Sequence, residues 1–303
     1  MHETRSRPPQ HPFGPRRHTR RANAAQANAA QAGDAQADDR WAVAPGAGLA
    51  APGAVVILTA LELEYSSVRG HLVGLRTVAH RAGTLFEIGY LPGCPRPIVV
   101  AVHGEGITTA AIMSERAIAT FQPDAVFFVG IAGGLQCDLW PGDVVVATRV
   151  YSFQGGKEYP DGFHIRPRAW DAPHRLEQRA RQVARSGAWA RLLPVATEAP
   201  PKVHFRPIVA GDVVFGYRSG PQRQLVSRYY DDSAAVDMEG AGVARAAHLN
   251  EAPTLIIRGL SDLADEDKGM MDSLGWQRTA AAHAAAFALQ LIASIPVDGA
   301  PSD

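Results

Sequence analysis

Apolar and polar positions alternate along the chain in blocks that predict strands and helices in turn. Short, continuous apolar runs lie at 54–61, 97–106, 124–135, 142–151 and 253–262. Runs of this length with apolar residues on both faces are typical of strands in a sheet that is covered on both sides. The segments between them are polar or helix-periodic, so the connections predict helices.

The helical pattern is clearest in "ITTAAIMSERAIATF", residues 107–121, which combines periodicity with good helix formers. Further helices are predicted at 174–192, 218–230, 239–249 and 275–294. The alternation predicts an α/β fold: a single domain whose central, mixed but mostly parallel sheet is flanked by helices on both sides.

The first 50 residues have a different composition from the rest. "MHETRSRPPQHPFGPRRHTRR" is rich in Arg, Pro and His, and "ANAAQANAAQAGDAQADD" is a low-complexity tract. Neither composition can bury a core. We therefore predict a disordered extension over 1–50 and a folded domain over 54–296.

The overall composition restricts the partners. Thirty Lys and Arg residues balance thirty Asp and Glu residues, which argues against nucleic acid or a membrane surface as partner and favours a small molecule. The two cysteines, Cys94 and Cys137, are far apart, so neither a disulfide framework nor a zinc site is supported, and a reducing cytoplasm fits. No apolar run approaches the roughly 20 residues that span a bilayer.

Acidic residues and glycine turns follow several predicted strands. Glu64 follows the first strand, Asp262 ends the last, and Glu239 lies in "VDMEGAG"; the glycine turns are 102–106 and 129–135. Ligands of open α/β sheets bind at such strand ends. Structural roles remain open: Asp262 as a cap or turn residue, Glu64 as a solvated first-turn residue, and the glycines as tight connections without dinucleotide-binding spacing.

Taken in order, these segments resemble the nucleoside phosphorylase and nucleosidase superfamily, in particular its methylthioadenosine/S-adenosylhomocysteine nucleosidases and similar purine nucleosidase domains of defence proteins. The resemblance covers nearly all of 54–294. The motifs are "TALELE", "VHGEGITTAA", "PDAVFFVGIAGGL" with "PGDVVVA", "AGDVVF", "AVDMEGAGVARAA" and "IIRGLSDLAD".

The resemblance implies cleavage of the bond between a purine and ribose C1′ through an oxocarbenium-like transition state. Asp262 aligns with the acid that serves purine N7, and Ser261 is its hydrogen-bonding orienter. Glu239 aligns with the ribose-binding glutamate, Met238 packs against the sugar, and Glu64 aligns with the glutamate that activates water. No metal and no cofactor are implied.

Two further segments match less directly. Phe215 and Val214, in "AGDVVF", fall where the family flanks the purine, although Phe215 equally fits an ordinary core position. His103 and Gly104 occupy a turn near the ribose. Family members often carry a small hydroxyl residue where His103 stands, so its role stays open.

The sequence favours hydrolysis, because acids near the nucleophile repel phosphate. Arg69, Arg258 and His103 keep a phosphate-dependent purine nucleoside phosphorylase open, and a non-catalytic nucleotide-sensing module is the third hypothesis. The resemblance implies that the substrate is an adenine nucleoside or nucleotide. Lys157, His164 and Arg166 are candidates for contacts with a 5′-phosphate chain such as that of ATP, and the resemblance implies a homo-oligomer.

Overall fold

Most strands in the described part of the protein form one large, mixed sheet with helices packed on both faces. The computed structural model describes residues 53–194 and 201–296, so the predicted extension over 1–50 lies outside the described residues. The strands are, in chain order, β1 (Val55–Thr59), β2 (Val73–Ala79), β3 (Leu85–Tyr90), β4 (Pro97–Val102), β5 (Ala125–Gly134), β6 (Val144–Ser152), β7 (Gly156–Tyr159), β8 (Gly162–Ile165), β9 (Arg168–Asp171), β10 (Val203–Ala210), β11 (Ala235–Asp237) and β12 (Thr254–Asp262).

The helices follow the apolar runs, as expected for strand-to-helix connections. They are α1 (Glu62–Arg69), α2 (Ile107–Phe121), α3 (His174–Ser186), α4 (Pro221–Tyr229), α5 (Gly240–Leu249), α6 (Lys268–Ser273) and α7 (Trp276–Ser294), with a 3₁₀ helix at Ala188–Leu192. No helix within the described ranges has the length and apolar character needed to cross a membrane.

The sheet order is β11-β10-β6-β12-β5-β1-β4-β3-β2, with β9 beside β6, and β7 and β8 form a separate hairpin. The strands β4, β1, β5 and β12 run parallel to one another. Strand β6 is antiparallel to β12, and β10 and β11 run parallel to β6. The predicted α/β fold with a mixed sheet is therefore confirmed.

Two hydrophobic cores lie on opposite faces of the sheet because side chains alternate along each strand. In β5, Phe128 packs on one face with residues of α2 and α5, and Phe127 packs on the other with residues of α7. Both faces of the central strands are thus covered, which explains their uninterrupted apolar sequence.

The structure corrects one predicted helix and adds seven strands to the five predicted ones, namely β2, β3 and β7 to β11. The helix expected over 174–192 ends at Ser186, because Gly187 adopts a left-handed conformation (φ 66°) and a 3₁₀ turn follows. Strand β10 was not predicted: Pro207 interrupts its pattern and lies at a register shift between Arg206 and Ile208.

Candidate active site

A cavity of about 260 Å³ opens where β1, β5, β11 and β12 end. Seven of the predicted site residues line it: Glu64, Val214, Phe215, Met238, Glu239, Ser261 and Asp262. The strand pairing explains this convergence, since Asp262 lies opposite Gly133 in β5 and Val236 of β11 pairs with the same glycine from the other side.

Glu64 lies in the first turn of α1, pointing into the protein. It is 3% exposed. Its Oε2 accepts hydrogen bonds from Ala60 N (2.8 Å) and Leu61 N (2.9 Å), and its Oε1 accepts one from Ile131 N (2.8 Å). Burial raises the pKa of Glu64, against the opposing charge of Arg258. The side chain is not the solvated first-turn residue considered as the alternative.

Glu239 occupies the N-cap position of α5, and its side chain reaches across to the glycine turn after β4 instead of capping the helix. Its Oε1 accepts a hydrogen bond from Gly106 N (3.0 Å), and it is 6% exposed. Burial, and next the charge of Asp237, raise the pKa of Glu239 to about 7. A carboxyl with this pKa changes its charge state readily near neutral pH.

A buried ion pair lies next to Glu239, whose Oε2 is 3.9 Å from Arg258 Nη2. Arg258 of β12 is fully buried, and its Nε and Nη2 each lie 2.8 Å from Asp237 Oδ2. Its guanidinium stacks on Phe128, 3.6 Å from the ring centroid. Gly130 lies within β5, so most of the glycine turn predicted at 129–135 is strand. A side chain at Gly130 would overlap with both Arg258 and Glu64.

Asp262 and Ser261 lie at a bulge at the end of β12, where the register with β5 shifts between Leu260 and Asp262. Bulges re-aim side chains. Here Ser261 Oγ donates to Asp262 Oδ2 (2.7 Å), as predicted for an orienter, and Ala264 N donates to Asp262 Oδ1 (2.8 Å). The second bond is the turn-forming contact of the structural alternative, so Asp262 makes both kinds of interaction.

A lysine that the sequence did not single out contacts Asp262. It is Lys268, the first residue of α6. Its Nζ lies 3.2 Å from Asp262 Oδ2 and 3.4 Å from Asp272 Oδ2. Both Lys268 and Asp272 line the cavity. The acidic segment "DEDKG" offers no periodicity that would have indicated this contact.

Phe215 combines the two roles left open for it. It is buried, contacts Phe153 with ring centroids 5.9 Å apart, and also lines the cavity beside the exposed Val214. Met238 is half-buried and also lines the cavity. An apolar patch is therefore available to a flat ligand.

His103 and Gly104 do not line the cavity. The ring of His103 is buried beside Phe128, its Nδ1 contacts the carbonyl oxygen of Gly104, and burial lowers the pKa of His103 to about 4. His103 is therefore neutral at pH 7. Gly104 has φ +79° in the turn that leads to Gly106, so this pair shapes the turn that holds Glu239.

The other cationic candidates also lie elsewhere. Arg69 pairs with Glu87 (2.6 Å) at the surface. Lys157 and His164 lie on the exposed β7–β8 hairpin, where Lys157 covers the ring of Tyr159, and Arg166 follows the hairpin. None of these four lines the described cavity.

Within the described ranges, no group of three His, Cys, Asp or Glu side chains is arranged to hold a metal ion.

Sequence reasoning missed Asp237, Lys268 and Asp272. Asp237 is next to Met238 in a motif already identified, so its neighbours could have indicated it. The other two become part of the site only because α6 folds back over the end of β12.

An α/β sheet with buried carboxylates around a cavity at its strand ends is typical of a protein that binds a small molecule. The chain belongs to the phosphorylase superfamily, whose family model matches residues 54–293.

Named relatives and solved structures agree with this assignment. The chain is 27% identical to a 5′-methylthioadenosine/S-adenosylhomocysteine nucleosidase of Chromohalobacter salexigens over 221 residues, which cover 71% of this chain and 87% of the relative. The crystal structure of the corresponding Neisseria meningitidis nucleosidase in complex with methylthio-immucillin-A has a TM-score of 0.67 at 26% identity and covers 80% of this chain and 100% of that one. The Colwellia psychrerythraea nucleosidase in complex with adenine has a TM-score of 0.68 at 25% identity, covering 80% and 96%.

Proposed function

We propose that the protein is a purine nucleosidase that hydrolyses the N-glycosidic bond of an adenine nucleoside, releasing the free base and the ribose moiety. One observation carries the proposal: Glu64, Glu239 and Asp262 line a single cavity, and each is at most 6% exposed. The similarity to nucleosidases, one of them solved with adenine, supports the choice of reaction and base.

Asp262 serves the leaving purine in this proposal. Protonation at N7 neutralises the base as the glycosidic bond breaks, and a carboxyl within hydrogen-bond reach is suited to this task. Ser261 Oγ and Ala264 N hold the two Asp262 oxygens in place, so the carboxyl is pre-oriented towards the cavity.

Glu239 serves the sugar. A carboxylate offers two acceptor oxygens for the ribose hydroxyls, and its negative charge stabilises the oxocarbenium ion that develops above it. The pKa of Glu239 is raised to about 7. Hydroxyl donors of the bound ribose stabilise the charged form of Glu239. Met238 supplies apolar contact to the sugar, and Phe215 with Val214 flanks the base.

Glu64 positions and deprotonates the attacking water. Three backbone N–H groups fix its carboxylate, and burial raises its pKa, which brings a carboxylate nearer to the range of an effective general base. The proton that leaves water passes to Glu64, and the oxygen forms the new bond to C1′.

Hydrolysis is favoured over phosphorolysis by the charges around the cavity. Among the described residues that were considered for a phosphate site, Arg69 is paired at the surface, Arg258 is paired with Asp237, and His103 is neutral. Lys268 is paired with two carboxylates. An incoming phosphate would meet mainly negative side chains.

The 5′ substituent is tested by a panel of substrates. Adenosine, methylthioadenosine, AMP and ATP are incubated with the protein, with and without phosphate, and adenine is measured by chromatography. Phosphate-independent release of adenine from at least one of them is expected. Release that requires phosphate would indicate a phosphorylase, and stoichiometric binding without release would indicate a sensor.

The roles of the acids are tested by two variants with matched controls. Asp262→Asn keeps the shape but cannot transfer a proton, so adenine release should fall on the order of 10²–10⁴-fold. In Asp262→Asn, hydrolysis of a nucleoside whose base leaves readily without protonation should be largely unaffected. Glu64→Gln should slow hydrolysis of both substrates. Exposed neighbours provide the controls Asp267→Asn and Glu62→Gln. If Asp262→Asn slows hydrolysis of both substrates equally, Asp262 has only the structural role of forming the turn.

We also propose that the protein acts in the cytoplasm as a homo-oligomer. Its cysteines are both free thiols, which fits a reducing compartment, and the resemblance described above implies the oligomer. Light scattering of the purified protein measures the mass directly, and a monomeric mass would contradict this part.

A further inference from the structure

Two loops meet at one side of the cavity. Loop 211–220, between β10 and α4, contributes three lining residues, among them Phe215, and loop 263–267, between β12 and α6, contributes Ala264. Phe215 and Ala264 also belong to the same buried apolar cluster. The position of Phe215 relative to Asp262 therefore depends on how firmly the two loops are joined.

Arg218 joins the two loops. Its Nη2 donates a hydrogen bond to Asp265 Oδ2 (2.9 Å), and its backbone N–H donates one to Glu266 Oε1 (3.2 Å). The Arg218 side chain is 60% exposed, whereas that of Asp265 is only 9% exposed. A carboxylate that is buried to this extent depends on its partner, so this ion pair should stabilise the contact more than an ordinary surface pair does.

The backbone turns sharply between Asp262 and Asp265. Ala264 has φ +50°, a left-handed conformation that a residue with a Cβ adopts only at a cost. Its N–H donates to Asp262 Oδ1 (2.8 Å), and the next residue contacts Arg218. A conformation of this kind persists where the surrounding contacts fix it. The ion pair is one of these contacts, and the hydrogen bond to Asp262 is another.

We propose that Arg218 and Asp265 form a clamp that fixes Phe215 relative to Asp262 in the part of the site that receives the base. The inference rests on the proposed function, because it needs a purine that contacts both Phe215 and Asp262. Arg218 does not line the cavity. It is therefore a positioning residue, which acts through loop 211–220 and does not touch the substrate.

Loss of the clamp changes the population of the binding-competent arrangement. Without the ion pair, loop 211–220 can move away from loop 263–267, and the arrangement that accepts a base is present for only part of the time. The apparent affinity for the base falls by that fraction. A bound base contacts both loops and restores the arrangement, so binding should be affected more than the chemical step at saturation.

Calorimetric titration with adenine tests this without knowledge of the 5′ substituent. Arg218→Met keeps the aliphatic part of the side chain and removes its charge. It should weaken adenine binding about tenfold, the range for a hydrogen bond to a charged group. The KM for the nucleoside that the substrate panel identifies should rise by a similar factor, whereas kcat should change by less than about twofold.

Two further variants serve as rescue and control. Arg218→Lys keeps a cation and should retain most of the adenine affinity. Arg185→Met removes an exposed arginine of α3 outside the cavity lining and should bind adenine like wild type. Circular dichroism melting checks that each variant is folded, and the melting temperature should shift by no more than a few degrees.

Salt dependence and a double-mutant cycle test the ion pair itself. Adenine carries no charge at neutral pH, so an effect of salt on its binding reflects charges of the protein. Because salt screens the partly exposed pair, added salt should weaken adenine binding more in wild type than in Arg218→Met. The double variant with Arg218→Met and Asp265→Asn should bind adenine about as weakly as the single variants, because each substitution removes the same contact.

The outcomes are distinct. Wild-type protein that binds adenine, together with unchanged adenine affinity in Arg218→Met, overturns the inference and leaves the proposed function intact. A fall in kcat as large as the rise in KM also overturns it, since that result indicates a general structural role. So do equal salt dependence of the two proteins and additive losses in the cycle. Wild-type protein that neither binds adenine nor releases it contradicts the proposed function, and the inference with it.

Discussion

Glu64, Glu239 and Asp262 show how individual carboxyls can be buried at a functional site. Burial of a charge is costly unless donors compensate for it. Glu64 receives three backbone N–H bonds, whereas Glu239 receives one. Burial nevertheless raises the pKa of both carboxyls, that of Glu239 to about 7, so their ionisation states are coupled to folding and to ligand binding.

Glu239→Gln should change how stability depends on pH. The pKa of Glu239 is raised from 4.5 to about 7 in the folded protein, so between these values the folded state keeps a proton that the unfolded state loses. The contribution of Glu239 is thus fully present below pH 4.5 and is lost as pH rises through about 7. Relative to wild type, the variant should gain on the order of 2–3 kcal/mol in unfolding free energy between pH 5 and pH 8.

Urea unfolding at a series of pH values measures this difference directly. Glu62→Gln, an exposed glutamate of α1, is the control and should track wild type. A difference between Glu239→Gln and wild type that stays constant with pH would contradict the coupling.

Strand β12 links the core to the site. Its central part packs against α7, its Arg258 pairs with Asp237 and lies near Glu239, and its end carries Ser261 and Asp262. Gly259 packs directly against α7, since a Cβ at this position would overlap with the carbonyl oxygen of Ala280. The position of the strand therefore depends on a residue without a side chain.

Gly259→Ala should destabilise the protein by about 1–3 kcal/mol, because the added methyl forces backbone shifts in a packed core. Chemical denaturation measures the change. Gly269→Ala in α6, where the added Cβ meets nothing within 4 Å, is the matched control and should be neutral or slightly stabilising. Unchanged stability in Gly259→Ala would mean that β12 and α7 adjust freely.

The larger arrangement has two groups of strands that meet at the cavity. β1, β5 and β12 run parallel, whereas β10 and β11 run antiparallel to β5 and reach the same place because β11 pairs with the end of β5. Every residue that lines the cavity lies within 54–293, the range of the family match.

Deletion of residues 1–50 should therefore change neither thermal unfolding nor base release, since the composition of that segment cannot contribute to a core. Calorimetric melting and adenine release of the shortened chain check this. A large drop in melting temperature would show that the domain begins earlier than residue 54.

Several features followed from the sequence alone because they depend on local physics. The periodicity of 107–121 predicted α2 at its observed bounds, and the apolar runs predicted β1, β5, β6 and β12. Edge elements were missed, because β2 is largely exposed and so lacks a clear apolar pattern. The ordered motifs identified the superfamily and placed Glu64, Glu239 and Asp262 among the candidates.

Tertiary structure decided which residues share the cavity. The bulge in β12 turns Ser261 and Asp262 towards each other. The pairing of β11 with β5 brings Asp237 to Arg258. Helix α6 folds back and places Lys268 in contact with Asp262. His103, predicted near the ribose, is instead buried behind the turn. Some of these contacts join residues that are far apart in the chain. Others depend on a register shift or on the position of a helix, which local propensity does not encode. They therefore form only when the strands and helices assemble into the fold.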